Sequence, residues 1–113
     1  MARLVALLVL VAVAAYDSAD DTVWIRVANA SAVGFPSVVV NGEDFGAVEA
    51  GGASDYRAFG VAYRYGSVTV VAEGETYHIV PIDYVGETPL ADGRYTYRLT
   101  LREGRLDQEL VED

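Results

Sequence analysis

A stretch of strict alternation near the end of the chain most constrains its fold. Residues 94–102 read RYTYRLTLR, with Tyr95, Tyr97, Leu99 and Leu101 at every second position and Arg or Thr between them. Successive side chains of a β-strand point to opposite faces of the sheet, so this pattern predicts a strand with one apolar face and one polar face. We expect the two tyrosines to pack in a core beside the two leucines.

Shorter runs of the same kind, separated by turn residues, occupy most of the chain. Asn41-Gly42 is a strong hairpin signal, because both central residues of a type I′ turn have positive φ; Gly74 and Glu103-Gly104 predict two further turns. Pro81 inside a strand predicts an edge position or a bulge. The predicted strands are Thr22–Ala28, Ser37–Val40, Phe45–Val48, Ser54–Phe59, Ser67–Ala72, Thr76–Ile82, Arg94–Arg102 and Arg105–Val111. Seven or eight short strands without a helix or repeat predict an all-β, antiparallel sandwich of the Greek-key type.

The composition limits both the size of the fold and its chemistry. A chain of 113 residues, 52% of them hydrophobic, is enough for one domain with a real core. It contains no cysteine, which excludes disulfides, a thiol nucleophile, a thiolate metal site and a lipid anchor on sulfur. The domain must therefore depend on its core or on association with neighbours.

The charge is strongly acidic. There are 17 Asp and Glu against 8 basic residues, all of them Arg, for a net charge of −9. Such a chain is repelled by nucleic-acid phosphates and by anionic membrane surfaces. We therefore expect no nucleic-acid partner and a soluble, exported protein.

The first residues fit a signal peptide. Leu4–Ala15 is an unbroken apolar run behind Arg3, shorter than the ~20 residues that span a bilayer. Ala12-Val13-Ala14 offers a small-x-small cleavage site, with cutting after Ala14 or one residue later. We divide the chain into residues 1–15 as leader, 16–21 as an acidic linker and 22–113 as the β-sandwich domain. Export places the protein outside the cell or on its surface.

A second interpretation of the same run is a retained strand. Its valines share one parity, whereas leucine and alanine fill the other, so a strand here would be apolar on both faces. Such a strand could be donated to the sandwich of a neighbouring subunit. The candidate donor residues are Leu4, Val5, Leu7, Leu8, Val9, Leu10, Val11 and Val13. Cleavage and donation both stay open at this point.

Four segments resemble a known group of proteins. IRVANAS at 25–31, VVVNGEDFG at 38–46, GGASDYRAF at 51–59 and GRYTYRL at 93–99 resemble short, uncharacterised bacterial exported β-sandwich proteins with a signal peptide or lipoprotein leader. The resemblance covers Val23 to about Leu101 and implies an immunoglobulin- or transthyretin-like sandwich on or outside the cell. Tyr16 stands where lipoprotein members have the lipid-bearing cysteine, so the resemblance does not extend to a lipid anchor.

Few residues suggest catalysis, metal binding or covalent modification. His78 is the only histidine, in a predicted strand, and there is no Gly-x-Ser-x-Gly elbow or phosphate-binding glycine loop. We expect no enzyme activity and no cofactor. Glu43-Asp44 and the aspartates of the linker, Asp17, Asp20 and Asp21, match no calcium-binding spacing, so we expect no metal site. Asn29-Ala30-Ser31 matches a glycosylation sequon, a pattern that arises easily by chance.

The tyrosines outside the alternating strand offer a possible contact surface. Tyr63, Tyr65 and Tyr84 lie in predicted loops, and exposed tyrosines can bind glycans or line a contact between subunits. The sequence thus predicts a non-catalytic structural subunit of an extracellular or cell-surface assembly, a fibre or pilus-like homo-oligomer built by strand donation or sheet-edge pairing. The alternative is a monomeric secreted or surface module that binds a glycan or a protein partner.

Overall fold

Three β-hairpins with two-residue turns organise the chain. The turns are Asn41-Gly42, Glu73-Gly74 and Glu103-Gly104, and all six residues have positive φ values, between 49° and 81°. Positive φ at both positions is the type I′ geometry, whose twist matches that of the flanking strands. The turns predicted from the glycines are therefore confirmed.

The computed structural model describes residues 22–81 and 88–113, which contain eight strands and no helix. The strands are β1 (Val23–Asn29), β2 (Phe35–Val40), β3 (Glu43–Val48), β4 (Arg57–Phe59), β5 (Val68–Ala72), β6 (Glu75–Ile79), β7 (Gly93–Arg102) and β8 (Arg105–Glu112). The predicted apolar leader 1–15, the acidic linker 16–21 and Tyr84 lie outside the described residues.

Two predicted strands are shorter in the structure. Of Ser54–Phe59 only β4 is a strand. The residues before it contact β1 through an isolated bridge, Ala28 to Ala53, and through Ser54, whose N–H donates to the Val27 carbonyl oxygen at 2.8 Å and whose Oγ accepts the Val27 N–H at 2.9 Å. β6 ends at Ile79, before Pro81, which has no N–H to donate to a neighbouring strand. The prediction that placed Pro81 inside a strand is wrong, although the strand that ends just before it is an edge strand.

The strands form two four-stranded sheets. The β1 sheet has the order β4-β1-β7-β8, and the β2 sheet has the order β3-β2-β5-β6. All pairs are antiparallel except β1 with β7, which run parallel from Val23 opposite Gly93 to Asn29 opposite Leu99. The fold is thus all-β and sandwich-like, with one parallel pair that the sequence did not predict.

The core lies between the sheets. β1 and β5 alternate without exception between buried and half-buried side chains, as the pleat of a strand requires. Tyr95, Tyr97 and Leu99 of β7 are buried, Tyr97 completely, as the alternation predicted. Leu101 is only half-buried because it lies next to the hairpin end of β7.

The β2–β3 pair is irregular. The register shifts twice, between Phe35 and Val38 and again between Val38 and Val39. Gly46, with a φ of 75°, takes up one shift, and its N–H donates to Asp44 Oδ1 at 2.8 Å. The bulges bend β3, which forms one edge of the β2 sheet.

Candidate functional site

The loop between β4 and β5 exposes two large apolar side chains. Tyr65 is 48% exposed and Val61 is 59% exposed. Tyr63 is half-buried, and its carbonyl oxygen accepts the hydroxyl of Tyr97. Of the predicted contact tyrosines, Tyr65 is therefore accessible, whereas Tyr63 helps to satisfy a buried hydroxyl of the core.

This loop is fixed from two directions. Leu90 N donates to the carbonyl oxygen of Ala62 at 2.8 Å, and Ala62 itself is buried. The Gln108 amide bridges Gly66: Nε2 donates to its carbonyl oxygen at 2.8 Å, and Oε1 accepts its N–H at 3.0 Å. Tyr65 is thus presented on an ordered loop, which lowers the entropy cost of a contact there.

His78 lies on the outward face of the edge strand β6. Its Nδ1 is 3.1 Å from Thr69 Oγ1 of β5, directly across the pair. The side chain is exposed. The contact is a cross-strand hydrogen bond on a solvated face, and it assigns the imidazole no chemical role.

Asn29 and Ser31 of the predicted sequon have structural roles. Asn29 is 1% exposed, and its Nδ2 donates to the carbonyl oxygens of Val33 at 2.9 Å and Val48 at 3.1 Å. Its Oδ1 accepts the N–H of Ser31, whose hydroxyl oxygen accepts the N–H of Leu101 at 2.7 Å. Because both protons of the Asn29 amide are used inside the fold, the folded domain offers this site no accessible acceptor for a glycan.

A polar cluster on the outward face of the β1 sheet was not predicted. The Asp113 carboxylate accepts Tyr56 Oη at 2.5 Å and Thr96 Oγ1 at 2.8 Å, and Thr96 Oγ1 in turn accepts Arg26 Nε at 2.9 Å. The guanidinium carbons of Arg26 and Arg94 lie 5.1 Å and 5.3 Å from the centre of the Tyr56 ring. The cluster covers Thr96, which is buried although it faces outward.

The electrostatics of this cluster shift two groups in opposite directions. Desolvation alone would raise the pKa of the Asp113 carboxyl, but hydrogen bonds from Tyr56 and Thr96 and the charges of Arg26 and Arg94 outweigh it and lower that pKa. The hydrogen bond to Asp113 raises the pKa of the Tyr56 hydroxyl. The cluster therefore holds residue 113 as a carboxylate and Tyr56 as a neutral phenol near neutral pH.

The two long sides of the sandwich differ. On the β3–β4 side, the rings of Phe45 and Phe59 stack with centroids 6.1 Å apart and planes inclined by 14°. On the β6–β8 side, inward residues of both edge strands are only half-buried against the core. These residues are Tyr77, Ile79, Leu106 and Leu110.

The four edge strands differ in how readily another strand could pair with them. β4 has three residues, and β3 is bulged and begins with Glu43 and Asp44, so both edges are poor templates for pairing. β8 is eight residues long and pairs with β7 without a bulge, and the described residues leave its other edge unpaired. β6 is regular as well, but it has only five residues.

The described residues offer neither a metal-ligand cluster nor a membrane-spanning helix, and they leave no buried side-chain polar atom unpaired. Residues 22–81 and 88–113 contain no group of three Asp, Glu or His side chains that could hold a metal ion. No helix of that part of the chain is long and apolar enough to cross a membrane. Its buried side-chain polar atoms all have hydrogen-bond partners.

Comparison of the chain with protein-family models, with curated proteins and with solved structures finds no match. The function of the protein must therefore be inferred from the residues and strand edges that its surface exposes. The features that sequence patterns missed, the Asp113 cluster and the half-open β6–β8 side, both depend on which strands become neighbours. The spacing of Arg26, Tyr56 and Asp113 in the chain carries no signal of their contact.

Proposed function

We propose that the protein is a non-catalytic, exported β-sandwich that serves as a structural subunit of an extracellular or cell-surface assembly. Copies associate through sheet edges, by strand donation from the apolar segment Leu4–Ala14 of one copy to the sandwich of another. The proposal includes the Greek-key, immunoglobulin-like type of the sandwich, which is supported by repeated crossing between sheets and by the return of β7 to the side of β1.

The observation that carries this proposal is the β6–β8 side. Its inward leucines, isoleucine and tyrosine are half-buried, and two regular edge strands flank them with backbone groups that pair with nothing in the described residues. An added strand would pair with one edge and cover the apolar residues in one step. The donor segment carries no charge, so it meets the requirements of such a site.

The experiment compares the mature protein with a truncated one. We expect the mature N-terminus to retain Leu4–Ala14 and the native particle to sediment as a multimer, because donation joins copies. A chain that begins at Asp17 keeps every described contact and should sediment as a monomer. A native monomer that begins near Ala15 or Tyr16 would contradict the proposal.

A second candidate function rests on the β4–β5 loop. Val61 and Tyr65 are exposed on a segment that Gln108 and Leu90 fix in place, which suits a monomeric module that binds a glycan or a protein. Substitution Tyr65→Ala would then abolish retention on immobilised glycans, whereas Thr88→Ala, at another exposed loop position, would not. Equal retention of both variants would remove this candidate.

A further inference from the structure

Arginine is confined to one of the two sheets. Six arginines lie in strands of the β1 sheet, and the strands of the β2 sheet have none. Two of the six, Arg102 and Arg105, are directly opposite each other at the end of the β7–β8 hairpin. Like charges directly opposite each other destabilise a strand pair, so this arrangement needs a reason outside the hairpin.

The neighbouring acids leave part of this charge unbalanced. Arg98 Nε donates to Glu109 Oε1 at 3.0 Å, and Arg105 Nε donates to Asp107 Oδ1 at 3.3 Å. Arg102 is exposed, and no acidic side chain of the described residues forms an ion pair with it. It lines a shallow depression of about 290 Å³ on the outward face of the hairpin, together with Asp107 and Glu109. Glu103 lies in the turn between the two arginines, so the hairpin end is neutral as a whole, and Arg102 is its guanidinium without an ion pair among the described residues.

We propose that this site, formed by Arg102 and Arg105, binds the acidic linker of a second copy, whose Leu7–Ala14 segment pairs antiparallel with the free edge of β8. This inference rests on the proposed function and gives it an edge, a direction and a register. The linker contributes Asp17, Asp20 and Asp21. Carboxylates are the groups that a guanidinium pair binds best.

The linker that binds this site must come from another copy, because the linker of the same chain is too short to extend to the arginine pair. Within one chain the linker ends at Thr22, whose carbonyl oxygen accepts the N–H of Gly93 at 3.1 Å, at the start of β7. Arg102 is nine positions further along β7, about 30 Å away at ~3.3 Å per residue. Asp17 is five residues from Thr22 and reaches about 18 Å when fully extended. Its own linker therefore cannot reach the arginine pair.

The direction follows from the position of the linker. The linker comes after Ala14, so anchoring it at the hairpin end places Ala14 opposite Arg105, and the strand then runs antiparallel to β8. Eight residues, Leu7–Ala14, match the eight of β8. Val13 then lies opposite Leu106 and Val9 lies opposite Leu110. The valine face points inward, onto the half-buried leucines.

The same edge rejects a copy of itself. β8 carries Asp107, Glu109 and Glu112 against the single Arg105, so an antiparallel pair of β8 strands would collect six carboxylates and only two guanidinium groups along one seam. A neutral, apolar strand meets no such repulsion. The shorter β6 offers five residues and ends just before Pro81, so it covers less of the donor.

A charge exchange tests the linker contact in the full chain. The variant Arg102→Asp/Arg105→Asp should weaken association about tenfold or more, and so should Asp17→Arg/Asp20→Arg/Asp21→Arg, because each places like charges together. A mixture of the two variants, or one chain with all five changes, should regain association. Arg64→Asp, in an exposed loop, is the control. Sedimentation velocity measures association, and the near-ultraviolet dichroism of Trp24 checks folding.

The linker variant keeps this test decisive if the hairpin variant fails to fold, because its changes lie outside the described sandwich. Unchanged association of the linker variant overturns the inference. If all variants assemble like the parent chain, the proposed function stands and the arginine site fails. If the parent chain itself is a monomer, both fail.

Cysteine pairing tests the register, since the chain has no cysteine of its own. Val13→Cys in one isotope-labelled preparation and Leu106→Cys in another should form a mixed disulfide under mild oxidation, because directly opposite residues have Cα atoms within bonding range. Ala12→Cys, on the other face, should not form it with Leu106→Cys. Equal yields from both pairs overturn the register. A doubly substituted chain that closes within itself, at a yield independent of concentration, overturns association between copies.

Discussion

The β3–β4 side and the β6–β8 side close the same core by different means. The first has a stacked pair of phenylalanines, with the guanidinium carbon of Arg57 5.9 Å from the Phe45 ring centre. The second leaves aliphatic residues half-exposed between two regular edges. The two sides therefore differ in how completely they cover the core. Burial on the β3–β4 side stabilises the domain, whereas the incomplete cover on the β6–β8 side leaves apolar surface that, in the function we propose, a second copy would cover.

The largest expected difference is in the free energy of unfolding after truncation on each side. Phe45→Ala should cost about 3–5 kcal/mol, because it removes a buried ring and the stacking of that ring on Phe59. Ile79→Ala on the other side should cost about 1–2 kcal/mol, since Ile79 is already half-exposed and its site can rehydrate. Urea unfolding of both variants measures the difference; equal losses would abolish the distinction between the sides.

The buried amide of Asn29 tests whether the β3–β4 side also depends on polar groups. Asn29→Ala should cost about 1–3 kcal/mol, because it leaves the carbonyl oxygens of Val33 and Val48 and the N–H of Ser31 without this partner. Thermal unfolding measures the loss. Glu103→Gly, in an exposed turn where positive φ suits glycine, is the control and should change stability much less.

Gln108 gives the matching test on the β6–β8 side. Gln108→Ala should cost about 1–2 kcal/mol, because it leaves the N–H and the carbonyl oxygen of the buried Gly66 without this partner. The Gly66 amide should exchange with deuterium faster, while core amides of β1 exchange as before. Unchanged exchange at Gly66 would show that the loop is held by other contacts.

The smallest effect concerns pH. The pKa of Asp113 is lowered on folding from its ordinary 3.8, so the carboxylate contributes stability that is complete above that value and is lost as the pH falls below it. We expect less than about 1 kcal/mol, since the pair with Arg26 is partly solvated. Asp113→Asn should remove this part of the pH dependence between about pH 2 and 5. An unchanged melting profile against pH would exclude the linkage.

The sequence predicted the strands well because burial acts residue by residue along a strand. The alternation in 94–102 identified Tyr95, Tyr97 and Leu99 as core, and Asn41-Gly42 identified a hairpin, each from local chemistry alone. It could not predict the parallel pairing of β1 with β7. Nor could it show that Asn29 makes three hydrogen bonds inside the fold. The sequence Asn-Ala-Ser is the same whether the asparagine is an exposed glycosylation site or a buried amide.

The exposure of the three tyrosines expected at a contact surface agrees with the prediction only in part, for the same reason. Tyr65 is exposed as expected, but Tyr63 is tied to Tyr97 through its backbone, and Tyr84 lies outside the described residues. Arg102 and Arg105 lie directly opposite each other because the Glu103-Gly104 turn joins their strands. Whether their charges are balanced depends on the acidic side chains that the fold places beside them. Charge counted over the whole chain does not show that Arg102 lacks an ion pair among the described residues of an acidic protein.

The parallel pair of β1 and β7 has a consequence for the order of folding. Val23 finds its partner Gly93 only 70 residues later, whereas the β2 sheet is assembled from residues 35–79 with two local hairpins. Contacts so distant in the chain carry a high loop-closure entropy and form slowly. We expect the β2 sheet to collapse first and β1 to wait, unpaired on its β7 side, until the last third of the chain has been synthesised. Until β7 arrives, the backbone groups along that edge of β1 are open to water and to pairing with wrong strands.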